Sequence, residues 1–224
     1  MQLRSGLEIH DPWQTLHQMR ERWFDAYDGV SVATDSELRV SEIALSVMLN
    51  NRISGNTAFE IWEQRAPIEE ALQAIGNDDL LEAAIRRNGL PLTEAQLRSI
   101  SNSDLLSAEN GIPYYQQLER MINATCGIHR VALGSATKIL HKKRPALIPI
   151  FDSRVHGYYC TRLPRPRRCG KTGEHFLRLT RLFHADMLSV AQELRDLREQ
   201  FTRLQKPLTA SRILDHLIWV CCPD

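Results

Sequence analysis

Apolar positions along this chain recur mostly at three- and four-residue spacing, the period of a helix with one buried face, and alternating runs of the strand type are almost absent. Asp11 and Pro12 make a cap and first turn for a helix whose apolar positions are Trp13, Leu16, Trp23, Phe24 and Tyr27, with Gly29 as its stop. That aromatic stripe reads as a core face, because a surface helix needs an apolar side to dock; a base-stacking platform is the alternative. Residues 40–49 predict a mostly buried helix through Ile43, Ala44, Val47 and Met48 that runs out at Asn50 and Asn51. Short helices are expected over 57–63, 68–75 and 80–87, each bounded by Gly, Asn or Pro, and Thr93 with Gln96 fits a capping box for another. Pro113 opens a helix through Tyr114, Leu118 and Met121, and residues 135–140 predict a helical turn or two ending near Pro145. Beyond them come a helix starting at Ser153, long helical periodicity over 177–204, and a last amphipathic helix opened by Leu208 and Thr209 that carries Ile213, Leu214, Leu217 and Trp219. The expected fold class is all-α, with no internal repeat, low-complexity tract or obvious linker.

A chain of 224 residues can bury a substantial core, as one large domain or as two lobes sharing a cleft. Its apolar and charged fractions, 43% and 25%, are those of an ordinary soluble protein. No apolar run reaches membrane-spanning length, and the opening residues lack the apolar core of a secretion signal, so a cytoplasmic location and no membrane partner are expected. Five cysteines, Cys126, Cys160, Cys169, Cys221 and Cys222, are an odd number spaced unlike any common zinc or iron-sulfur framework. Reduced thiols are expected, with no metal and no cofactor. His129, His141 and His156 show no partner at metal-ligand spacing and read as polar surface or core residues.

Charge changes the picture. Between Met121 and Lys171 the only acidic residue is Asp152, and eleven basic residues share the stretch: Arg130, Lys138, Lys142, Lys143, Arg144, Arg154, Arg162, Arg165, Arg167, Arg168 and Lys171. Outside it stand 17 Lys and Arg against 26 Asp and Glu, so the overall charge of +1 hides a local excess that suits a polyanion such as nucleic acid. A solitary carboxylate in such a field invites a catalytic role, and it would equally cap the helix at Ser153. The tracts His141-Lys142-Lys143-Arg144 and Arg165-Pro166-Arg167-Arg168 flank it as candidate phosphate grips, with solvated loops as the alternative. Five phosphate contacts would give a log-log salt slope of about −4.5. Tyr114, Tyr115, Tyr158 and Tyr159 are candidate base-stacking residues, although paired tyrosines usually put one ring into the core.

The segment Gly134-Ser135-Ala136-Thr137-Lys138-Ile139-Leu140, followed by Ile148-Pro149-Ile150-Phe151-Asp152-Ser153-Arg154-Val155, resembles the signature of helix-hairpin-helix DNA glycosylases of the endonuclease III and 8-oxoguanine glycosylase type. Ser135-Ala136 stands where that superfamily has a Thr-Ala pair, and the ungapped spacing puts Asp152 on the catalytic aspartate. Such a carboxylate stabilises the oxocarbenium-like sugar and orients or deprotonates water, and the helix start holds it ionised. Met48-Leu49-Asn50-Asn51-Arg52 resembles the end of an early helix whose asparagine fills the gap left by the flipped nucleotide; Asn50 or Asn51 would do so here, or would simply end the helix. The two hairpin glycines are replaced by Arg130 and Ala132, and the lysine nucleophile of bifunctional members by Gly134, so the resemblance implies base release by water without lyase activity. Lys138, one turn further on, suits a phosphate contact, with a replacement amine as the alternative.

The resemblance implies two helical lobes with a cleft between them: residues 36–150 as a central helical barrel with a degenerate hairpin, and residues 1–35 with 151–224 as the second lobe. The expected protein is a monomer that binds double-stranded DNA through Asn50, Asn51, Arg130, Ser135, Lys138, Lys142, Lys143, Arg144, Arg154, Arg165, Arg167 and Arg168. It would excise a damaged base, or a bulky modified base such as invading phage DNA carries, which would make it an antiviral enzyme. A catalytically inactive DNA-binding protein on the same scaffold is the alternative, and a regulatory subunit with an acidic partner is a third class.

Overall fold

The structure is a computed structural model that describes residues 1–20, 25–33, 35–49, 53–75, 114–163, 172–204 and 208–222. Among the described residues the regular structure is helical, and extended pairing is confined to a single bridge between Gln2 and Glu8 around Gly6, whose φ of 96° suits glycine. The all-α expectation holds.

Helix α1 (Pro12–Arg20) starts as its sequence dictates, with Asp11 Oδ1 accepting from the Gln14 amide at 3.0 Å. A short α2 (Asp25–Asp28) follows; Trp23 and Phe24 lie outside the described residues. Helix α3 (Val40–Leu45) passes into a 3-10 turn (Ser46–Leu49), and here the expected buried face is wrong. The tighter turn has about three residues per revolution, so the inward positions become Glu42, Ile43 and Ser46, while Ala44, Val47 and Met48 face out. The Ser46 hydroxyl donates to the Ile43 carbonyl at 2.7 Å inside that turn.

Helices α4 (Gly55–Glu63, capped by Ser54) and α5 (Ala66–Ile75) bracket the expected 57–63 and 68–75. The predicted helix 80–87, the Thr93 capping box and Pro113 lie outside the described residues. Then come α6 (Tyr114–Gly127), α7 (Leu133–His141) and α8 (Ser153–Cys160). The long helical periodicity over 177–204 is carried by two helices, α9 (Thr172–Ser189) and α10 (Ala191–Arg203), separated at Val190, whose backbone leaves the helical region at φ −121° and ψ 30°. Helix α11 (Ala210–Cys221), capped by Thr209, has the expected amphipathic pattern but buries its polar side as well: residues 210–218 are all buried, with Arg212, Asp215 and His216 among them.

Helix α6 lies between α5 and α9, while α11 receives α1, α8, α9 and α10. One apolar cluster runs from Leu3 to Ile218 and unites both ends of the chain. At one edge of it Ser5 donates its amide to Asp186 at 2.7 Å, and the Tyr159 hydroxyl donates to the same carboxylate at 2.8 Å. Phe151 is buried edge-on against Tyr159, Phe176 and Phe183 at centroid distances of 5.9–6.3 Å, which fixes the position of the next residue, Asp152, at the rim of the core.

Candidate active site

Helices α6 and α7 are joined by the five-residue turn 128–132. Ile128 and Val131 point into the core, His129 and Arg130 stay exposed, and Arg130 is left-handed at φ 66°. That conformation favours glycine and costs an arginine about 1–2 kcal/mol. The first turn of α7 receives no side-chain cap from Ala132. Gly134 packs so closely on the segment before Asp152 that a Cβ there would stand 3.1 Å from the Phe151 carbonyl oxygen. Thr137 completes the junction by donating to the Gly134 carbonyl and accepting from the Phe151 amide at 3.2 Å.

The buried segment 147–151 then delivers Asp152, which is half-buried, to the N-cap of α8. Its Oδ1 accepts from the Arg154 and Val155 amides at 3.0 and 3.1 Å. Its Oδ2 takes no hydrogen bond among the described residues. Arg154 stacks on Trp219 at 4.1 Å from the ring centroid.

Two titratable groups interact electrostatically with this carboxylate. Lys138 is half-buried, and its Nζ donates to the Leu49 carbonyl at 2.8 Å, one residue before Asn50. Burial lowers its pKa against the opposing pull of Asp152 and Asp215. Asp215 is buried, and burial lifts its carboxyl to about 7 in spite of the Arg212 guanidinium, with Asp152 and Asp28 adding to the rise. Arg212 donates to Asp215 and, at 2.9 Å, to Asp28. Sequence reasoning missed Asp215; its signal was a charged residue amid the apolar run of the last helix.

Several expected DNA contacts are corrected. Lys143 is fully buried: its Nζ pairs with Glu42 at 2.6 Å and Asp35 at 2.9 Å, and donates to the Ala33 carbonyl. Arg144, 1% exposed, donates to the carbonyls of Leu72, Lys143 and Asp35. Lys142 is half-buried, lies over the Tyr27 ring at 4.1 Å and donates to the Tyr27 and Val30 carbonyls; burial lowers it to about 8. The tract that resembled a phosphate grip therefore holds the 27–42 segment from inside. His141 next to it is buried and bonds the Ile148 carbonyl at 2.6 Å.

Tyr158 and Tyr159 are core residues, packed edge to face at 4.9 Å, and offer no stacking platform. Lys138, expected at a phosphate, is half-buried with its ammonium on the Leu49 carbonyl. Ser135 is half-buried in α7. Asn50, Asn51, Arg165, Arg167 and Arg168, together with the side chains of Tyr114 and Tyr115, lie outside the described residues. Cys126, Cys160, Cys221 and Cys222 are free thiols. Among the described residues one group of three side chains could hold a metal ion: His156, Cys160 and His175.

Residues 85–221 match the model of a family of unknown function, DUF6308. The chain belongs to that family. The DUF6308 segment contains α6 to α11, hence the turn at Arg130, Asp152 and Asp215, whereas the acidic partners of Lys143 and the asparagines at 50 and 51 precede it. No curated protein and no solved structure matches the chain. Among the described residues no helix is long and apolar enough to cross a membrane.

Proposed function

We propose that this DUF6308 protein is a monofunctional DNA N-glycosylase in which Asp152 acts on a nucleotide flipped into a cleft between two helical lobes. The observation that carries the reading is the division of labour within one carboxylate. Oδ1 meets both cap amides and fixes the group, while Oδ2 at the half-exposed rim is uncommitted. In the reaction the glycosidic bond breaks with its electron pair leaving on the base, the sugar carbon becomes cationic, and water adds to that carbon. Oδ2 stabilises the cation and takes the proton that water loses.

The left-handed turn at Arg130 supports the reading, because it puts the helix-turn-helix bend where the resembling hairpins carry glycine. Arg130, exposed in that turn, offers a cation to a backbone phosphate. Lys138 takes a positioning part by holding Leu49, and with it the approach to Asn50 and Asn51, which would plug the duplex. The close approach of Gly134 to Phe151 leaves no room for a lysine there without a shift, in keeping with attack by water. A damaged base or a bulky modified base, the latter serving antiviral defence, is the proposed substrate.

The test is incubation with duplexes carrying a panel of damaged and modified bases, read as free base and alkali-labile abasic sites. Asp152→Asn keeps an oxygen that caps α8, so it should fold and bind DNA while losing base release. Full turnover by that variant refutes the assignment, and DNA binding without release by the wild-type protein on every substrate points to the inactive scaffold instead. A borohydride-trapped adduct on Lys138 would overturn the hydrolytic mechanism.

A further inference from the structure

Helix α8 carries, one and two turns beyond Asp152, a second set of chemistry-bearing side chains. His156 and Cys160 stand four residues apart and so share a face, and His175 reaches them from the first turns of α9. All three are half-buried, and their donor atoms converge. His156 Nε2 and His175 Nε2 are 3.0 Å apart, Cys160 Sγ is 3.4 Å from His156 Nε2, and it is 3.7 Å from His175 Nε2.

Those separations match the edges of a coordination tetrahedron in length; Sγ also lies 3.6 Å from His156 Nδ1, so binding requires the His156 ring to turn its Nε2 lone pair toward the shared centre. Zinc bonds of about 2.05 Å to imidazole nitrogen and about 2.3 Å to thiolate sulfur, at tetrahedral angles, put nitrogens about 3.3 Å apart and nitrogen about 3.6 Å from sulfur. The observed triangle is within a few tenths of an ångström of that on every side. A hydrogen-bonded histidine pair accounts for one edge and the four-residue spacing on α8 for a second; the third, from Cys160 Sγ to His175 Nε2 across the helix pair, is what makes the group a triangle.

We infer that His156, Cys160 and His175 supply three corners of a zinc site. The mixed imidazole and thiolate set suits a borderline-soft ion and disfavours magnesium or calcium. The site clamps α8 to α9, and because the His156 amide bonds the Asp152 carbonyl at 2.9 Å it stiffens the turn that holds the candidate catalytic carboxylate. Metal binding stands independently of the glycosylase reading. Its sequence signal was His156 and Cys160 at helical spacing, overlooked because the third donor is fifteen residues beyond Cys160.

The experiment loads the reduced full chain with zinc, removes loose metal by desalting, and measures bound zinc by mass spectrometry. One zinc per chain is expected. Cobalt in its place should show a thiolate-to-metal charge-transfer band and the visible bands of a tetrahedral site. Cys160→Ser should abolish the charge-transfer band and, like His175→Ala, weaken zinc binding by more than about a hundredfold, beyond what loss of an outer-shell partner costs. Cys126→Ser, which alters a thiol elsewhere on α6, should keep both signals. Should the site variants fail to fold, alkylation of the wild-type protein decides: zinc should protect Cys160 specifically, as read by peptide mapping. No stoichiometric zinc in the wild type, undiminished zinc in both site variants, or no protection of Cys160 overturns the inference. Loss of zinc binding with base release intact would leave the Asp152 mechanism standing; zinc binding without base release would do the reverse.

Discussion

Replacing Lys143 by methionine separates a structural lysine from a DNA-binding one. The side chain is fully buried, and its ammonium is 2.6 Å from Glu42, whose own side chain is 4% exposed, and 2.9 Å from Asp35, which is 43% exposed. Methionine fills much of the space and removes the cation, so the buried Glu42 carboxylate loses its closest partner. Breaking a buried pair in this way costs about 3–5 kcal/mol. Arg39, 3.3 Å from the same carboxylate, and the Arg39 amide at 2.9 Å remain and moderate the loss. The lower end, about 3 kcal/mol, is therefore expected, a large share of the roughly 5–15 kcal/mol that holds a domain together. With a urea m-value near 2 kcal/mol/M, the midpoint should fall by about 1.5 M. Circular dichroism in urea measures it, and Lys143→Met with Glu42→Leu should regain part of the loss. The salt slope of DNA binding should be unchanged. A variant as stable as the wild type within about 0.5 kcal/mol, with a salt slope reduced by about 0.9, would mean that Lys143 reaches a phosphate and that its burial here is wrong.

Two further outcomes follow from single residues. His184 is buried with Nε2 on the Leu147 carbonyl, and burial lowers its pKa to about 4, so the unfolded chain gains a proton that the folded one refuses. Its contribution is intact above pH 6.5 and is lost as the pH falls toward 4, by about 1.4 kcal/mol per unit and about 3 kcal/mol in all; His141, lowered to about 3, adds a loss of the same sign. Asp215, raised to about 7, works the other way and loses its contribution between pH 4 and 7. Urea titrations should show stability falling on acidification with about one net proton taken up, and stability that rises toward pH 4 would contradict the buried neutral histidines. Arg130→Gly relieves the left-handed strain at φ 66° while loosening the unfolded chain, so it should be neutral or stabilising by up to about 1 kcal/mol. Thermal melts check it, and a clear loss of stability would show that Arg130 contributes contacts worth more than its strain.

Helix starts were legible because they are local chemistry. Asp11, Asp152 and Thr209 each accept from an amide two or three residues on, a bond fixed by the residue and its immediate neighbours. The helical period over 177–204 was legible too, but nothing in it announces the break at Val190. Within the candidate site, Asp152 was legible as a lone carboxylate at a helix start and the turn at Arg130 only through the resemblance, and Asp215 was not, since a charge amid apolar residues does not say which charge it will meet.

The sequence by itself determined an all-α chain, its caps, and a lone carboxylate at the head of α8. It also suggested a basic field around that carboxylate, and there the tertiary structure decided otherwise. Lys143, Arg144 and Lys142 turn inward onto Glu42, Asp35 and the carbonyls of residues brought from about a hundred positions earlier, and Arg162 lies over Tyr158. Period and capping are decided within a turn or two of chain, whereas a cation chooses between water, phosphate and a buried carboxylate by which groups folding brings beside it. The convergence of His156 and Cys160 with His175 was decided in the same way, by the packing of α8 against α9.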